Sequence, residues 1–343
     1  MEPLKRARSL LLGSTLILIA VGIVMIYSAS AIYALDTMKD PNYFLVRHLV
    51  YLAAGSFLGW LASRVNYQAL RRHSKTMLIG IVALLALVLV PHIGSLAGGA
   101  RRWFKFLGFS VQPSEFLKVV IIFYMADFLD RRKDSLKDFK HTILPALFVL
   151  GISTGLILKQ PDLGTAVTVA MVVLILFFAA GFRLRDLAGI AALAVPALLY
   201  AMLAKSYRRK RILAFFHPWD DPRGVGFQII QSFLALGSGG IFGRGLGGSQ
   251  QKLFFLPQSH TDFIFSGMVI VFRTRSFFSQ LLGLGLVSLV GFEAVINIGV
   301  SVGALPTKGL SLPFISYGGS ALIVNLVVTG LLINISKEKP AAA

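Results

Sequence analysis

The sequence is dominated by a series of apolar runs, each close to 20 residues long, separated by shorter polar segments. The first run, residues 10–32, contains no charged side chain. A helix of about 20 apolar residues spans the roughly 30 Å hydrocarbon core of a bilayer. Only 14% of the residues are charged, against about 25% in typical soluble domains. We therefore expect an all-α, polytopic membrane helix bundle, because helices satisfy their own backbone hydrogen bonds in lipid.

The apolar runs predict about ten transmembrane helices in a single domain, residues 1–336. The eighth run spans only 262–272, or about 16 Å of helix, so we expect this span to be truncated. A large extracytoplasmic loop, 205–261, is expected between helices seven and eight, and 337–343 is expected to form a polar cytoplasmic tail. The predicted spans are about 10–32, 48–64, 77–95, 114–130, 142–158, 163–182, 186–204, 262–272, 278–303 and 311–336.

The formal net charge of +19 is best explained by membrane orientation. Cytoplasmic loops are enriched in Lys and Arg, and with ten spans the basic clusters fall on one side of the membrane. Both termini are therefore expected in the cytoplasm. Anionic lipid accounts for further basic residues, so no nucleic-acid partner is expected. The clusters are Lys5, Arg6, Arg8, Arg71, Arg72, Lys75, Arg131, Arg132, Lys133, Lys137, Lys140, Arg183 and Arg185.

Two connections on the opposite side of the membrane are also basic. The segment 94–113 contains Arg101, Arg102 and Lys105, and the loop 205–261 contains eight more Lys and Arg residues. Both segments can be solvated loops that meet anionic headgroups, or they can bind an anionic substrate such as a lipid pyrophosphate. Arginine suits the second role because its guanidinium binds phosphate oxygens in pairs.

Ionisable side chains inside the predicted spans are costly, so each is a candidate functional residue. Glu115 and Lys118 share one face of the fourth helix, where they form either a structural ion pair or a cavity wall. Asp162 lies in a tight connection and either caps the sixth helix or belongs to a site. Glu293 and Asn297, one turn apart in the ninth span, either join helices through hydrogen bonds or line a cavity.

Asp262 lies where the long outer loop enters the eighth helix, two residues after His260. A carboxylate at this boundary suits a general base or a ligand for a divalent cation, and a helix cap is the simpler alternative. At the outer end of the tenth span, Lys308, Ser316 and Tyr317 lie in segments that contain proline and glycine. None of these signals alone identifies a reaction.

Seven motifs, taken in order, strongly resemble the SEDS family, named for shape, elongation, division and sporulation. The resemblance extends nearly end to end. Gln251-Lys-Leu-Phe-Phe255 and Leu305-Pro-Thr-Lys-Gly-Leu310 are more similar to the division member than to the elongation member. The seven motifs are Arg101-Arg-Trp103, Gln112-Pro-Ser-Glu115 with Lys118, Gln160-Pro-Asp-Leu-Gly164, Pro218-Trp-Asp-Asp-Pro222, Gln228-Ile-Ile-Gln-Ser232, Leu256-Pro-Gln-Ser-His-Thr-Asp262 and Ile315-Ser-Tyr-Gly-Gly-Ser320.

The resemblance implies an activity and partners. SEDS proteins are peptidoglycan glycosyltransferases that polymerise lipid II at the outer face of the bacterial plasma membrane. They act with a class B penicillin-binding protein, which cross-links the product, and with other proteins of the divisome or elongasome. The similarity to the division member implies a place at the septum. The expected reaction inverts the donor's anomeric carbon in one displacement, without a covalent enzyme intermediate.

The resemblance also assigns residues. The family's essential outer-loop aspartate falls on Asp262, which is the expected catalytic residue. The expected cofactor is none, because the chain has no cysteine and no ligand cluster that requires a metal. A divalent cation, Mg²⁺ or Mn²⁺, on the pyrophosphate or on Asp262 is kept as an alternative. The expected substrate-binding residues are Arg101, Arg102, Lys105, Glu115, Lys118, Asp162, His260, Lys308, Ser316 and Tyr317.

The chain departs from the family pattern after Ser266, where residues 267–276 lead directly into the ninth span. By comparison with a full span, roughly 15–25 residues are missing. Two other functions compete with the polymerase. A lipid II flippase or transporter predicts inverted repeats and ionisable residues at the membrane midplane, and we find no clear repeat. A non-catalytic division scaffold would tolerate the short eighth span.

Overall fold

The computed structural model describes residues 2–97, 99–106, 108–204, 206–239, 257–307 and 309–338. Most of this length is helical. The helices are α1 (Glu2–Met38), α2 (Tyr43–Arg64), α3 (Tyr67–Leu70), α4 (Ser74–Leu87), α5 (Pro113–Arg131), α6 (Leu144–Lys159), α7 (Leu163–Ala180), α8 (Leu184–Leu203), α9 (Ser206–Phe216), α10 (Phe227–Gly239), α11 (Pro257–Arg273), α12 (Phe277–Ser301) and α13 (Gly319–Ile335).

Within the described residues, six helical segments are long and apolar enough to cross a membrane, which supports a multi-pass membrane protein. One of them is α6 together with the π-helical turn before it, Phe139–Lys159. The other five are α1, α2, α7, α8 and α12. Another apolar helix, α13, has 17 residues.

Several helix boundaries differ from the predicted spans, among them the end of the third and the start of the tenth. The third helix ends at Leu87 rather than near residue 95, because Pro91 follows and disfavours a helical conformation before it. The tenth begins at Gly319 rather than at 311, because Pro313 and Gly318 interrupt the preceding segment.

The expectation of a purely α-helical chain is wrong for the segment between α4 and α5. Here β1 (Ser95–Ala97), β2 (Ala100–Phe106) and β3 (Phe109–Val111) form an antiparallel sheet in the order β1-β2-β3. Ala97 pairs with Ala100, and Phe106 pairs with Phe109, so each connection has two residues. Gly99 and Gly108 have φ values of 75° and 80°, which two-residue hairpins require and glycine readily adopts.

The helices α2 and α13 pack backbone against backbone through small residues. Gly55 and Gly59 form a G-x-x-x-G pair on α2, a common contact between membrane helices. A Cβ at Gly59 would lie 2.5 Å from the Leu326 carbonyl oxygen, and one at Gly330 would lie 2.0 Å from the Gly59 carbonyl oxygen. This contact holds α2 directly against α13.

The centre of the bundle is formed by α5, α7 and α12. More than half of the side chains of α5 and α12 are buried, including the fully buried Leu117 and Phe278. A Cβ at Gly285 would lie 2.5 Å from the Ile122 side chain, so α5 and α12 approach closely. By contrast, Ile190 is the single buried residue of α8, so α8 lies at the periphery of the described bundle.

The eighth predicted span corresponds to α11, and its predicted start at residue 262 is wrong. Proline is favoured in the first turn of a helix, so α11 begins at Pro257 and places Asp262 in its second turn. Its 17 residues give about 25 Å of helix, which is still short of the roughly 30 Å hydrocarbon core. Three residues separate α11 from α12, and the two helices pack closely at Gly267 and Val287.

The segment after α13 packs onto the helical body instead of extending freely from it. Lys337 donates a 2.6 Å hydrogen bond to the Ser63 carbonyl oxygen. Glu338 accepts hydrogen bonds from Gln68 and Ser279, each at 2.9 Å. The first two residues of the predicted tail, 337–343, therefore contact the body, and 339–343 lie outside the described residues.

Candidate functional site

A cavity of about 510 Å³ lies between the sheet, the α6–α7 connection, α9 and the segment that follows α12. We call it the outer cavity, because its lining segments are expected from the sequence on the outer side of the membrane. It contains three guanidinium groups and one carboxylate among its polar lining groups. Its lining residues are Gly99, Ala100, Arg102, Trp103, Pro161, Asp162, Leu163, Gly164, Met202, Arg208, Arg211, Ile212, Pro306, Thr307 and Gly309.

Two of the three arginines in the outer cavity are held by backbone carbonyl groups. Arg102 donates from Nε to the Gln160 carbonyl oxygen and from Nη2 to the Pro161 carbonyl oxygen, both at 2.6 Å. Arg208 donates from Nη1 to the Ala201 carbonyl oxygen at 2.6 Å. These bonds fix both charges in the cavity wall.

The third arginine, Arg211, lies on the exposed side of α9. Within the described part of the chain it forms no ion pair, and it still lines the cavity. Its guanidinium therefore retains donors that an anion can occupy.

Asp162 caps α7, as one of the two sequence interpretations predicted. Its Oδ1 accepts a 3.2 Å hydrogen bond from the Thr165 amide, and its Oδ2 accepts one from Gln112 Nε2 at 3.3 Å. The carboxylate also lines the outer cavity. Asp162 therefore both caps α7 and lines the cavity. Its two hydrogen bonds fix the orientation of the only carboxylate among the lining residues.

The other predicted basic residues lie elsewhere. Arg101 and Lys105 are on β2, but neither lines the outer cavity. Lys308 lies outside the described residues, although its neighbours Thr307 and Gly309 line the cavity. The sheet thus brings one of its three predicted basic residues, Arg102, to the cavity.

A second polar group, which we call the buried triad, lies in the bundle centre. Lys118 Nζ is 2.7 Å from Glu115 Oε2 and also forms an ion pair with Glu293 of α12. Only 2% of Lys118 is exposed. The triad therefore places two carboxylates beside one almost fully buried ammonium group.

Glu293 and Asn297, which the sequence placed one turn apart with a shared role, make separate contacts in the structure. Glu293 joins the buried triad, whereas Asn297 donates a 2.6 Å hydrogen bond to the Leu310 carbonyl oxygen. Glu293 is a functional candidate that the sequence alone could not place, because it lies 175 positions from Lys118. Its only sequence signal was a carboxylate within an apolar span.

Asp262 lies on the exposed side of α11. The next residue, Phe263, is fully buried against Phe314, with ring centroids 5.5 Å apart. The Asp262 carbonyl oxygen accepts a 2.6 Å hydrogen bond from Ser266. These contacts fix the helix face that α11 buries and leave the Asp262 side chain exposed. No cluster of three or more potential metal-ligating side chains occurs within the described residues.

The chain between α12 and α13, described at 302–307 and 309–318, contacts both α11 and the outer cavity. We call it the outer strap. His260, which is buried, contacts the Pro313 carbonyl oxygen through Nε2 at 3.3 Å. Ser316 Oγ accepts a 3.0 Å hydrogen bond from the Leu312 amide. His260 and Ser316 therefore position the strap.

Tyr317, at the end of the outer strap, is exposed. A tyrosine hydroxyl is protonated at neutral pH and can donate a hydrogen bond, and partial burial of the Tyr317 ring raises the pKa of its phenol further. Of the two predicted strap residues that the structure describes, Ser316 is partly buried and Tyr317 is exposed.

These features define a class: a multi-pass membrane protein with a cationic cavity and an accessible carboxylate near helix ends. The family model described as "Cell cycle protein", for FtsW, RodA and SpoVE, matches residues 8–269 and 265–341. The chain therefore belongs to the FtsW/RodA/SpoVE family, also called the SEDS family, and the sequence prediction of this family is confirmed.

Named relatives and solved structures support the same family. The probable peptidoglycan glycosyltransferase FtsW of Geobacter metallireducens is 43% identical, over 92% of this chain and 90% of its own. A chain of a peptidoglycan synthase complex has a TM-score of 0.77 and 31% identity, covering 95% of this chain and 96% of its own. The rod shape determining protein RodA of Thermus thermophilus has a TM-score of 0.71 and 26% identity, covering 95% of both chains.

The comparisons also locate a difference from the family. The two segments of the family match meet at residues 265–269, just where the family pattern departs after Ser266. The alignment with the Geobacter metallireducens protein is 339 positions long and covers 92% of this chain, or about 316 of its residues. About 23 aligned positions of that relative therefore have no counterpart in this chain. This number lies within the 15–25 residues expected from the short eighth span.

Proposed function

We propose that this chain is a peptidoglycan glycosyltransferase that polymerises lipid II at the outer face of the bacterial plasma membrane. The observation that carries the proposal is the outer cavity, with its three arginines, in a chain of the SEDS family. The topology that we propose has ten spans, both termini in the cytoplasm and residues 205–261 outside. The similarity to FtsW proteins supports a place at the division septum.

The outer cavity suits the diphosphate of a lipid-linked sugar. Arg102 and Arg208 are already bonded to carbonyl groups, so they supply fixed positive charge. Arg211 has donors to spare and is the arginine that we assign to the diphosphate oxygens. The cavity volume of about 510 Å³ is within the range for small-molecule sites, roughly 300–1,000 Å³. The polyprenyl chain would remain in lipid.

The proposed reaction is one displacement at the anomeric carbon of the donor sugar. The 4-hydroxyl of the acceptor sugar attacks this carbon, and Asp262 removes or orients the hydroxyl proton. The bond to the diphosphate breaks, and the departing lipid diphosphate is stabilised by the arginines. One displacement inverts the configuration at the carbon, and no covalent bond to the enzyme forms. Mg²⁺ or Mn²⁺ on the diphosphate or on Asp262 is an alternative source of charge.

The proposed partner is a class B penicillin-binding protein, with further divisome or elongasome proteins. The support comes from the peptidoglycan synthase complex, whose structure concerns the coordination of polymerisation and crosslinking. A chain that polymerises glycan supplies the strands that such a partner would cross-link.

A non-catalytic division scaffold is the second candidate, and the short α11 favours it. About 23 positions of the relatives have no counterpart in this chain, and about 25 Å of helix underspans the bilayer core. A scaffold would bind the same partner without making glycan. A lipid II flippase would instead move labelled lipid II across proteoliposomes, which the same preparation can test.

The assignment of Arg211 is tested by polymerisation of purified lipid II in the presence of the cognate class B partner. Arg211→Ala removes charge-assisted hydrogen bonds of about 1.5–3 kcal/mol, so kcat/KM for lipid II is expected to fall about 10- to 100-fold. Arg209→Ala is the matched control, because Arg209 lies exposed on the same helix and does not line the cavity. Equal rates for the two variants would contradict the assignment.

A further inference from the structure

The outer end of α2 contains a buried histidine that the proposed reaction does not use. α2 presents the stripe His48, Tyr51, Gly55 and Gly59 to α13 and to the segment before it. Three of these four residues have close packing partners. Tyr51 packs against Gly319, and Gly55 and Gly59 contact the α13 backbone. His48 is the outermost member, so it faces the end of the outer strap.

The His48 side chain has no polar partner among the residues that the structure describes. Only 1% of the residue is exposed, and neither Nδ1 nor Nε2 has a hydrogen-bond partner there. A neutral imidazole offers one donor and one acceptor, and buried polar groups are normally paired. An imidazole buried in this way is explained if a ligand supplies the partners in another state of the protein.

The Tyr317 ring lies next to His48. The ring centroids of the two residues are 6.4 Å apart, and Tyr317 also packs edge-on against Phe44 at 5.3 Å. Tyr317 itself is 42% exposed. It stands between Ser316, which is hydrogen-bonded within the strap, and the glycine pair that begins α13. Tyr317 is therefore an exposed residue at the end of the strap, with its ring beside His48.

The groups around His48 match the chemistry of a sugar ring. The Arg47 guanidinium lies over the rings of Tyr43 and Phe109, at 5.2 and 5.5 Å, and hydrogen-bonds the Tyr43 hydroxyl. Aromatic faces pack against the C–H groups of a sugar, while an imidazole can both donate to and accept from its hydroxyls. This region has one guanidinium and the outer cavity has three, so we expect the diphosphate to bind in the outer cavity.

We propose that Arg47, His48 and Tyr317 form a carbohydrate subsite at the outer end of α2, which Tyr317 closes when no glycan is bound. The ligand class is a sugar ring of a glycan strand built from N-acetylated hexosamines. This inference rests on the proposed polymerase function and deepens it, because it gives the strand a binding place separate from the diphosphate cavity.

The test measures binding without catalysis. The full chain in lipid nanodiscs is titrated with a fluorescent tetrasaccharide of alternating N-acetylglucosamine and N-acetylmuramic acid, and anisotropy gives the Kd. His48→Phe keeps an aromatic ring but removes both nitrogens, and we expect the Kd to rise about tenfold. His73→Phe makes the same change at an exposed histidine far along the chain, after α3, and is expected to leave the Kd unchanged.

The melting temperature of each variant separates binding from structure. His48→Phe is expected to melt at the same temperature as the parent or higher, because it removes unpaired nitrogens from a buried position. An unchanged Kd in His48→Phe would overturn the subsite, and so would a large fall in melting temperature, which would reveal a structural partner. Polymerase activity is not read here, so failure of the subsite leaves the proposed function standing.

The covering role of Tyr317 has its own measurement. Diethyl pyrocarbonate modifies accessible imidazoles, and mass spectrometry gives the rate of modification at His48. Tyr317→Ala is expected to raise this rate at least several-fold, and saturating tetrasaccharide is expected to suppress it. Equal rates in the parent and in Tyr317→Ala would show that Tyr317 does not cover His48.

Discussion

Removing the single cation of the buried triad should damage the protein far more than removing one of its two carboxylates. Lys118→Met retains most of the side-chain volume but leaves Glu115 and Glu293 buried without a counter-charge. Glu293→Gln retains side-chain shape and hydrogen-bonding capacity, and it leaves one ammonium group facing one carboxylate. The two substitutions therefore change the charge balance in opposite directions at the same place.

The magnitudes follow from the burial of the groups. Breaking a buried ion pair by removing one partner costs about 3–5 kcal/mol, because the remaining charge has no compensation. We expect that cost for Lys118→Met, since Lys118 and Glu293 are 2% and 3% exposed. For Glu293→Gln we expect a loss of about 1 kcal/mol or less, because the Lys118–Glu115 pair survives.

The assay is thermal unfolding in one detergent, followed by tryptophan fluorescence. A fall of about 6–10 °C is expected for Lys118→Met, taking about 2 °C per kcal/mol for a large chain. The triple variant Glu115→Gln, Lys118→Met and Glu293→Gln should recover most of this loss, since no buried charge remains. The reasoning is refuted if Lys118→Met melts within 2 °C of the parent, or if Glu293→Gln destabilises as much.

Three further predictions concern packing, metal dependence and α11. Gly59→Ala should destabilise by about 1–3 kcal/mol in the same melting assay, because its Cβ would lie 2.5 Å from the Leu326 carbonyl oxygen; Gly13→Ala, with nothing within 4 Å, is the control and should not destabilise. Removing divalent cations with a chelator should lower the rate of lipid II polymerisation less than tenfold, because three arginines already supply positive charge; complete loss, restored by Mg²⁺ or Mn²⁺, would contradict this. Inserting about 20 apolar residues after Ser266 should raise the polymerisation rate, because α11 is shorter than the bilayer core; an unchanged rate would show that the short helix is not limiting.

Local patterns in the sequence predicted the features that depend on local contacts. The three-residue spacing of Glu115 and Lys118 placed them on one helix face, and the structure pairs them at 2.7 Å. The position of Asp162 before an apolar run allowed a helix cap, and its hydrogen bond to the Thr165 amide confirms this. Apolar runs of span length likewise predicted a multi-pass membrane bundle.

Features that depend on contacts distant in sequence could not be predicted in the same way. Glu293 reaches Lys118 only because α5 and α12 pack together. The sheet at 95–111 was missed because two of its three strands have only three residues and its hairpin turns stood out less than the apolar runs around them. His48 resembled any polar residue near a helix end, and only its burial without a partner distinguishes it.

The central claim is that this chain polymerises lipid II with Asp262 as its catalytic carboxylate. The most direct measurement is the amount of glycan formed from purified lipid II by the chain with its class B partner, beside Asp262→Ala and the exposed control Asp134→Ala. We predict glycan strands from the parent and from Asp134→Ala, and none from Asp262→Ala, with all three chains folded. Glycan from Asp262→Ala at the parent rate would contradict the catalytic assignment, and no glycan from the folded parent would contradict the proposed activity.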